Sequence, residues 1–299
     1  MPPTPFVIRR AKAADKENVL AFCAQTFQWG DYLHLVWDEW LADETGPLLV
    51  ATLNEEPVGV AKVTLLTPRE AWLEGLRVHE AYRRHGLAWQ FQIHCLKMAR
   101  QRGAQVARLA TSSKNLAVHK TAERAGMHRV AAVLPLEAQA LPPGEGSTPL
   151  TCLSPQDWPQ VATRILHGTA LAQMCGLYGA GWTWQALTAE KLRRHLERGQ
   201  VLALQNGDAE ILAVAITSDV DPDDKSLPVG YVDGIEPHAQ RLADGLRVHC
   251  ACCNAEMVEV MIPADSPLHE AFVQSGYRPE MEAEAEVWIY ELDLKGAAL

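Results

Sequence analysis

The segment Val78-His79-Glu80-Ala81-Tyr82-Arg83-Arg84-His85-Gly86-Leu87-Ala88 groups the residues of this chain best suited to hold an anionic ligand. A strand-like stretch ends at Val78, a loop rich in basic residues and glycine follows, and an amphipathic helical pattern starts at Leu87. The first turn of a helix offers backbone N–H groups without intrahelical partners and roughly half a unit of positive charge. Such an end suits a phosphate or pyrophosphate. Arg83 and Arg84 add permanent positive charge. Gly86 lets the backbone approach a ligand where a side chain would intrude.

The elements that must position this loop can be read on either side of it. Residues 6–11 form a short strand pattern, and 13–27 and 31–43 have helical spacing. Residues 47–53 and 57–66 read as a hairpin around Asn54-Glu55-Glu56, and 71–78 as the strand leading into the loop. A long helix over 87–102 closes at Gly103, a strand covers 106–111, a helix over 116–125 stops at Gly126, and a strand covers 127–134. These elements read as an α/β unit.

Arg83-Arg84-His85-Gly86-Leu87-Ala88 fits the pattern Gln/Arg-x-x-Gly-x-Gly/Ala, and here the chain resembles the GNAT superfamily of acyl-CoA N-acyltransferases. The setting strengthens the resemblance: Leu76-Arg77-Val78 before the loop, Arg102-Gly103-Ala104 after the helix, then Ser113-Lys114-Asn115 and Glu123-Arg124-Ala125-Gly126-Met127. The resemblance implies an α/β fold with a mixed, mostly antiparallel sheet flanked by helices, and acetyl-CoA as acyl donor, with no metal. It implies that the strand with Leu76 and Val78 splays from its neighbour and holds the acyl group and pantetheine arm on its backbone. The pyrophosphate would lie on Arg83, Arg84, His85, Gly86, Leu87 and Ala88, and Asn115 beside the pantetheine; Asn115 is equally suited to cap the helix from Leu116. The transfer needs a deprotonated amine, and Glu74 is the candidate base, with His34 and His79 as runners-up. The family's usual tyrosine proton donor is replaced by Ala122, and Thr121 replaces a common aromatic. Trp29, Tyr32, Trp37 and Trp40 fall where the family has its acceptor-side helices.

The second half repeats the order of elements: strand 150–153, helix 155–167, a helical region through Arg198, strands 201–205, 210–217 and 229–235, helix 237–253, strand 257–262, helix 267–274 and strand 287–294. Ala71-Trp72-Leu73-Glu74-Gly75-Leu76 matches Gly230-Tyr231-Val232-Asp233-Gly234-Ile235 class for class, and Glu123–Met127 faces Val273–Tyr277 in the same way. Where the loop should recur stands Glu236-Pro237-His238-Ala239-Gln240-Arg241, without a glycine and with an acidic residue. The expected organisation is a catalytic domain over 1–135, a Pro/Gly-rich linker over 136–149, and a degenerate copy over 150–299.

Composition sets the outer limits. Residues 1–140 carry 17 Lys and Arg against 14 Asp and Glu, while 141–299 carry 10 against 23, giving a net charge of −10. The first half is therefore the better host for an anion, and nucleic acid is not an expected partner. Seven irregularly spaced cysteines in a chain of 299 residues point to reduced thiols in a cytoplasm. His249-Cys250-Ala251-Cys252-Cys253 lacks a second cluster with metal-ligand spacing. No apolar run is long enough for a membrane span, and the start lacks a signal-peptide pattern. The expectation is a cytoplasmic monomer or homodimer acting on a small-molecule amine, with a non-catalytic acyl-CoA binding or sensing module as the alternative.

Overall fold

The structure is a computed structural model that describes residues 6–24, 26, 30–144, 149–281, 285–297 and 299. Trp29 lies outside the described residues. In chain order the elements are β1 (Val7–Arg10), α1 (Lys16–Cys23), α2 (Leu33–Ala42), β2 (Leu48–Leu53), β3 (Glu56–Thr67), β4 (Glu70–Val78), α3 (Leu87–Gln101), β5 (Val106–Ser112), α4 (Leu116–Arg124), β6 (His128–Gln139), β7 (Thr151–Cys152), α5 (Trp158–Leu166), α6 (Thr169–Gln173), β8 (Leu177–Ala180), β9 (Thr183–Ala186), α7 (Ala189–Glu197), β10 (Val201–Gln205), β11 (Ile211–Thr217), β12 (Ser226–Asp233), α8 (His238–Cys252), β13 (Met257–Pro263), α9 (Leu268–Gln274), β14 (Arg278–Pro279) and β15 (Val287–Asp293).

Two compact units form. One comprises residues 1–111, 115–129 and 290–299; the other comprises 112–114 and 130–289. The first unit is thus completed by the C-terminal segment of the chain, where a boundary after residue 135 was expected. The expected linker from Leu136 is also shorter. Residues Val133 to Gln139 of β6 pair residue for residue with Pro263 to Met257 of β13, and Leu136 and Ala138 are buried. Alternating burial of small and apolar residues had looked like linker composition.

In the first unit the strands run β1-β2-β3-β4-β5, with β15 beyond β5. The β2–β3 hairpin turns on Asn54 and Glu55, both at positive φ, with Leu53 opposite Glu56. Val50 and Val60 join Val19, Leu33, Trp37 and Trp40 in the core under α1 and α2. Gly59 faces the opposite side, where a Cβ would lie 2.7 Å from Phe91 of α3. Side chains alternate across a strand, so α1 and α2 cover one face of the sheet and α3 the other. Both α3 and α4 end in a glycine at positive φ, with Ala104 N–H bonding to Ala99 O and Met127 N–H to Ala122 O, each at 3.0 Å.

The second unit has strand order β6-β13-β12-β11-β10-β7, with β14 beside β6. One core lies under α8 and α9, the other under α5, α6 and α7. The region read as helical through Arg198 contains the β8–β9 hairpin, which turns at Gly181 with φ +58°. Tyr178 and Trp184 of this hairpin are buried, and that packing overrides the local helical pattern.

Candidate functional site

β4 pairs with β3 along its whole length, from Thr67↔Glu70 to Gly59↔Val78. Its parallel pairing with β5 covers Glu70↔Val106, Ala71↔Ala107 and Trp72↔Arg108, and stops there. Beyond Trp72 this pairing ends, and a gap opens between residues 73–78 of β4 and 109–111 of β5. Arg108, 6% exposed, pins the closed end through ion pairs to Glu70 at 2.8 Å and Glu291 at 2.6 Å. On the β4 side of the gap, Leu76 O accepts from Arg77 Nη1 and Val78 O from Arg83 Nε, both at 3.1 Å. These carbonyls lie outside the β3 ladder, within reach of side-chain donors.

One extra residue in β4 lies between the pairs Lys62↔Glu74 and Val60↔Arg77. Gly75 makes this bulge possible. Its φ is +65°, and a Cβ there would come within 2.6 Å of Trp40 Cζ3. Gly75→Ala is expected to lower stability by about 1–3 kcal/mol, through both overpacking and backbone strain. Denaturant unfolding of the variant beside wild type checks this.

At the open end of the gap, the chain turns through Glu80–Tyr82 into the basic loop. His79 Nδ1 accepts from Ala81 N–H at 3.2 Å, and its ring sits between Phe22 and Tyr82. It is a turn-former. Arg83, Arg84, His85 and Gly86 are exposed. Arg84 and Gly86 both have positive φ, at +66° and +79°. A Cβ on Gly86 would meet nothing within 4 Å, so the demand at this position is conformational. The close-approach argument concerns a ligand outside the protein. Gln90 N–H bonds to Gly86 O at 3.1 Å, so the amides of Leu87, Ala88 and Trp89 precede the first intrahelical bond. Trp89 Nε1 is buried without a hydrogen-bond partner, and the Arg124 guanidinium stacks 4.2 Å from the Trp89 ring. Exposed arginines and first-turn amides ahead of the first intrahelical bond fit a polyanion such as pyrophosphate.

On the α2 face of the gap, Glu74 is half-buried and accepts from Thr64 Oγ1. Burial pushes its carboxyl above the usual range. The Thr64 hydrogen bond and Lys62 oppose that rise, and Glu39 and Asp43 add to it. Lys62 is itself engaged, with Nζ 2.6 Å from Asp43 Oδ2, 2.8 Å from Gly46 O and 2.9 Å from Val63 O. Arg77 pairs with Asp31 at 2.7 Å, and its guanidinium lies 5.5 Å from the centre of the Tyr32 ring. Tyr32 packs edge-on against Trp40, and Trp37 is fully buried in the core. His34 is exposed, with Nδ1 2.8 Å from Asp31 O.

Asn115 caps α4, accepting from Val118 N–H at 3.4 Å. Ala122 is fully buried. A tyrosine does reach this part of α4, from a strand that sequence reading assigned to the second domain. Tyr290 of β15 donates its hydroxyl hydrogen to Glu123 Oε1 at 3.3 Å and lies 3.1 Å from His119 Nδ1.

The second unit shows the same parting of strands with a different occupant. β12 and β13 pair in parallel from Ser226↔Met257 to Val229↔Val260, and then separate. The β8–β9 hairpin lies across the separation, with Gly179 O only 1.7 Å from where a Cβ on Gly230 would sit. The remaining cavity is apolar, lined by Met174, Leu177, Trp184, Val232 and Met261. Asp233, the counterpart of Glu74 in the repeat, pairs with Arg164 at 3.0 Å. α8 starts after Pro237 and has no glycine at its N-terminus. At its other end Cys253 Sγ lies 3.4 Å from His249 Nε2, while Cys250 is buried with its thiol pushed up to about 11 by desolvation. Among the described residues, no three His, Cys, Asp or Glu converge as a metal site.

Residues 16–127 match the acetyltransferase (GNAT) family. Among solved structures, a GCN5-related N-acetyltransferase from Sphaerobacter thermophilus is 13% identical with a TM-score of 0.65, over 97% of this chain and 96% of that one. A tandem GNAT protein from the clavulanic acid biosynthesis pathway is 14% identical with a TM-score of 0.56, over 97% and 99%. No curated protein matches. The sequence of the acetyltransferase (GNAT) family thus covers residues 16–127, and the fold of these two solved structures extends along nearly the whole chain.

Proposed function

We propose that the first unit transfers an acetyl group from acetyl-CoA to a primary amine of a small molecule, and that the second unit is a copy that does not bind coenzyme A. The parting of β4 from β5 beside the glycine-capped start of α3 carries this reading. It provides a slot for an extended arm that ends at an anion-binding helix terminus. The first-turn amides of α3 with Arg83, Arg84 and His85 hold the pyrophosphate, the backbone of Leu76 and Val78 holds the arm and acyl group, and Asn115 lies beside the arm. Glu74 takes the proton of the incoming amine. Acetyl-CoA supplies the activated acyl carbon. In the second unit the β8–β9 hairpin fills the corresponding slot, and Glu236 stands where a phosphate would need a donor.

Calorimetric titration with acetyl-CoA tests both halves of the proposal. One equivalent per chain is expected. Gly86→Glu is expected to weaken binding by more than about 100-fold, because the added carboxylate repels phosphate, while its backbone strain of roughly 1–2 kcal/mol leaves the fold in place. Two equivalents per chain would overturn the assignment of the second unit. Unchanged affinity in the variant would overturn the placement of the site.

The buried methyl of Ala122, where the resemblance implies a phenol, favours a second reading: a module that binds acyl-CoA without turning it over. It predicts binding with no thiol release across a panel of amines, and turnover with any of them removes it. Among the described residues no helix is long and apolar enough to cross a membrane. A cytoplasmic location and a monomeric or homodimeric state complete the proposal.

A further inference from the structure

Cys152, Cys250, Cys252 and Cys253 gather at one end of the second unit's sheet. The antiparallel pairs Cys152↔Leu202, Val201↔Ile216 and Thr217↔Val229 link β7, β10, β11 and β12 in turn, and β12 runs parallel to β13 from Ser226↔Met257. Cys152, the start of β10 and the start of β13 therefore lie at the same end. α8 leads through residues 253–256 into β13, so its C-terminal end, with the other three cysteines, lies there too. Leu202 belongs to the core under α8, as does Cys250. Residues directly opposite on paired strands point to the same face, so Cys152 stands on the α8 face of the edge strand β7.

The thiols differ in access and in partners. Cys152 is exposed, and its S–H donates to Gly199 O at 3.2 Å. A serine would make that bond equally well, so the surface position does not call for sulfur. Cys253 is half-buried, with Sγ 3.4 Å from His249 Nε2. Burial pushes its thiol above the ordinary value, and Cys252 and Cys152 add to the rise, so Cys152 is within electrostatic reach of Cys253. Burial lowers the pKa of His249, which leaves its imidazole neutral at pH 7 and Nε2 able to accept a proton. Cys250 is fully buried and shielded from solutes.

We propose that Cys152 and Cys253 form a reversible disulfide when the protein meets a small-molecule disulfide such as oxidised glutathione. Cys152, the accessible thiol, loses its proton to water and attacks one sulfur of the small disulfide. A mixed disulfide forms, and the first glutathione leaves as a thiolate and takes up a proton. Cys253 then passes its proton to His249 Nε2 and attacks the Cys152 sulfur. The second glutathione leaves as a thiolate and takes a proton from the imidazolium. Two protein thiols are oxidised to one disulfide, and one glutathione disulfide is reduced to two thiols. The bond ties β7, which pairs with β10 at only Thr151 and Cys152, to the end of α8. It closes a loop of about 100 residues, which restricts the unfolded chain. The site lies within the second unit and does not depend on the acyl-transfer reading.

The test treats the reduced full chain with oxidised glutathione, blocks the remaining thiols by alkylation and maps the peptides by mass spectrometry. Wild type is expected to lose two of its seven free thiols and to yield one cross-linked peptide pair joining Cys152 to Cys253. Its melting temperature is expected to rise by about 5–10 °C and to fall back on addition of dithiothreitol. Cys253→Ser stops at a mixed disulfide on Cys152, and Cys152→Ser keeps its thiols. In His249→Gln the mixed disulfide forms at the wild-type rate but closes more slowly; closure at the wild-type rate would overturn the part given to His249. A wild-type protein that keeps all its thiols, stops at the mixed disulfide, or joins Cys152 to Cys252 overturns the pairing. These wild-type outcomes decide even if a variant fails to fold.

Discussion

Glu74→Gln is expected to lower kcat/KM for the amine by roughly 10²–10⁴-fold while leaving acetyl-CoA affinity unchanged. The amide keeps an oxygen for the Thr64 hydroxyl, so the local geometry survives and the base alone is removed. Desolvation raises the folded-state pKa of Glu74 above its value of 4.5 in the open chain. Two signs follow. The base is protonated below that raised value, so the rate rises with pH through a midpoint above the ordinary glutamate range, and the variant loses this limb. For stability, a carboxyl with a raised folded pKa favours the fold when protonated, at low pH, and disfavours it as pH climbs through that value. Near neutrality the wild type holds a desolvated charge that Gln lacks. The variant should therefore be no less stable than wild type, and somewhat more so, as judged by thermal melts at pH 5 and pH 8. A variant that loses both activity and stability would make Glu74 a structural residue.

What sequence reading could see was local. Gly103 and Gly126 end α3 and α4 as their positions suggested, because a helix that closes with a left-handed residue favours glycine just past its last turn. The basic loop was legible for the same reason: charges and glycine stand side by side in the chain. The His119–Tyr290 contact spans 171 positions, and no period or motif links its ends. A phenol missing from α4 was visible as Ala122; the phenol that reaches that helix from β15 was not. The β8–β9 hairpin was hidden differently. Its residues carry no strict alternation, and they form strands because Tyr178 and Trp184 are buried against the second unit's sheet. The continuation of β6 to Gln139 depends likewise on its partner, β13. In each case long-range pairing chose between local options of similar energy.

Arg108→Met is expected to destabilise the protein by about 3–5 kcal/mol, the usual cost of removing one partner from a buried ion pair. Met fills much of the volume, so the loss reports on charge. Glu70 is only 8% exposed, and both it and Glu291 would lose their ion pair with Arg108. The consequence reaches beyond stability because of where Arg108 sits. It is the last β5 residue paired with β4, and it also holds β15 through Glu291. Three strands therefore meet at the closed end of the gap through a single guanidinium. If the pairing Trp72↔Arg108 loosens, the gap deepens. Urea unfolding measures the loss of stability. Adding Glu70→Gln to Arg108→Met should recover part of the loss, because the double variant no longer buries a carboxylate that has lost its Arg108 ion pair. Recovery of stability without recovery of kcat would separate the two duties of Arg108, neutralising Glu70 and fixing the depth of the gap. Failure to recover any stability would mean that the cost comes from packing, and that the ion-pair account of the closed end is wrong.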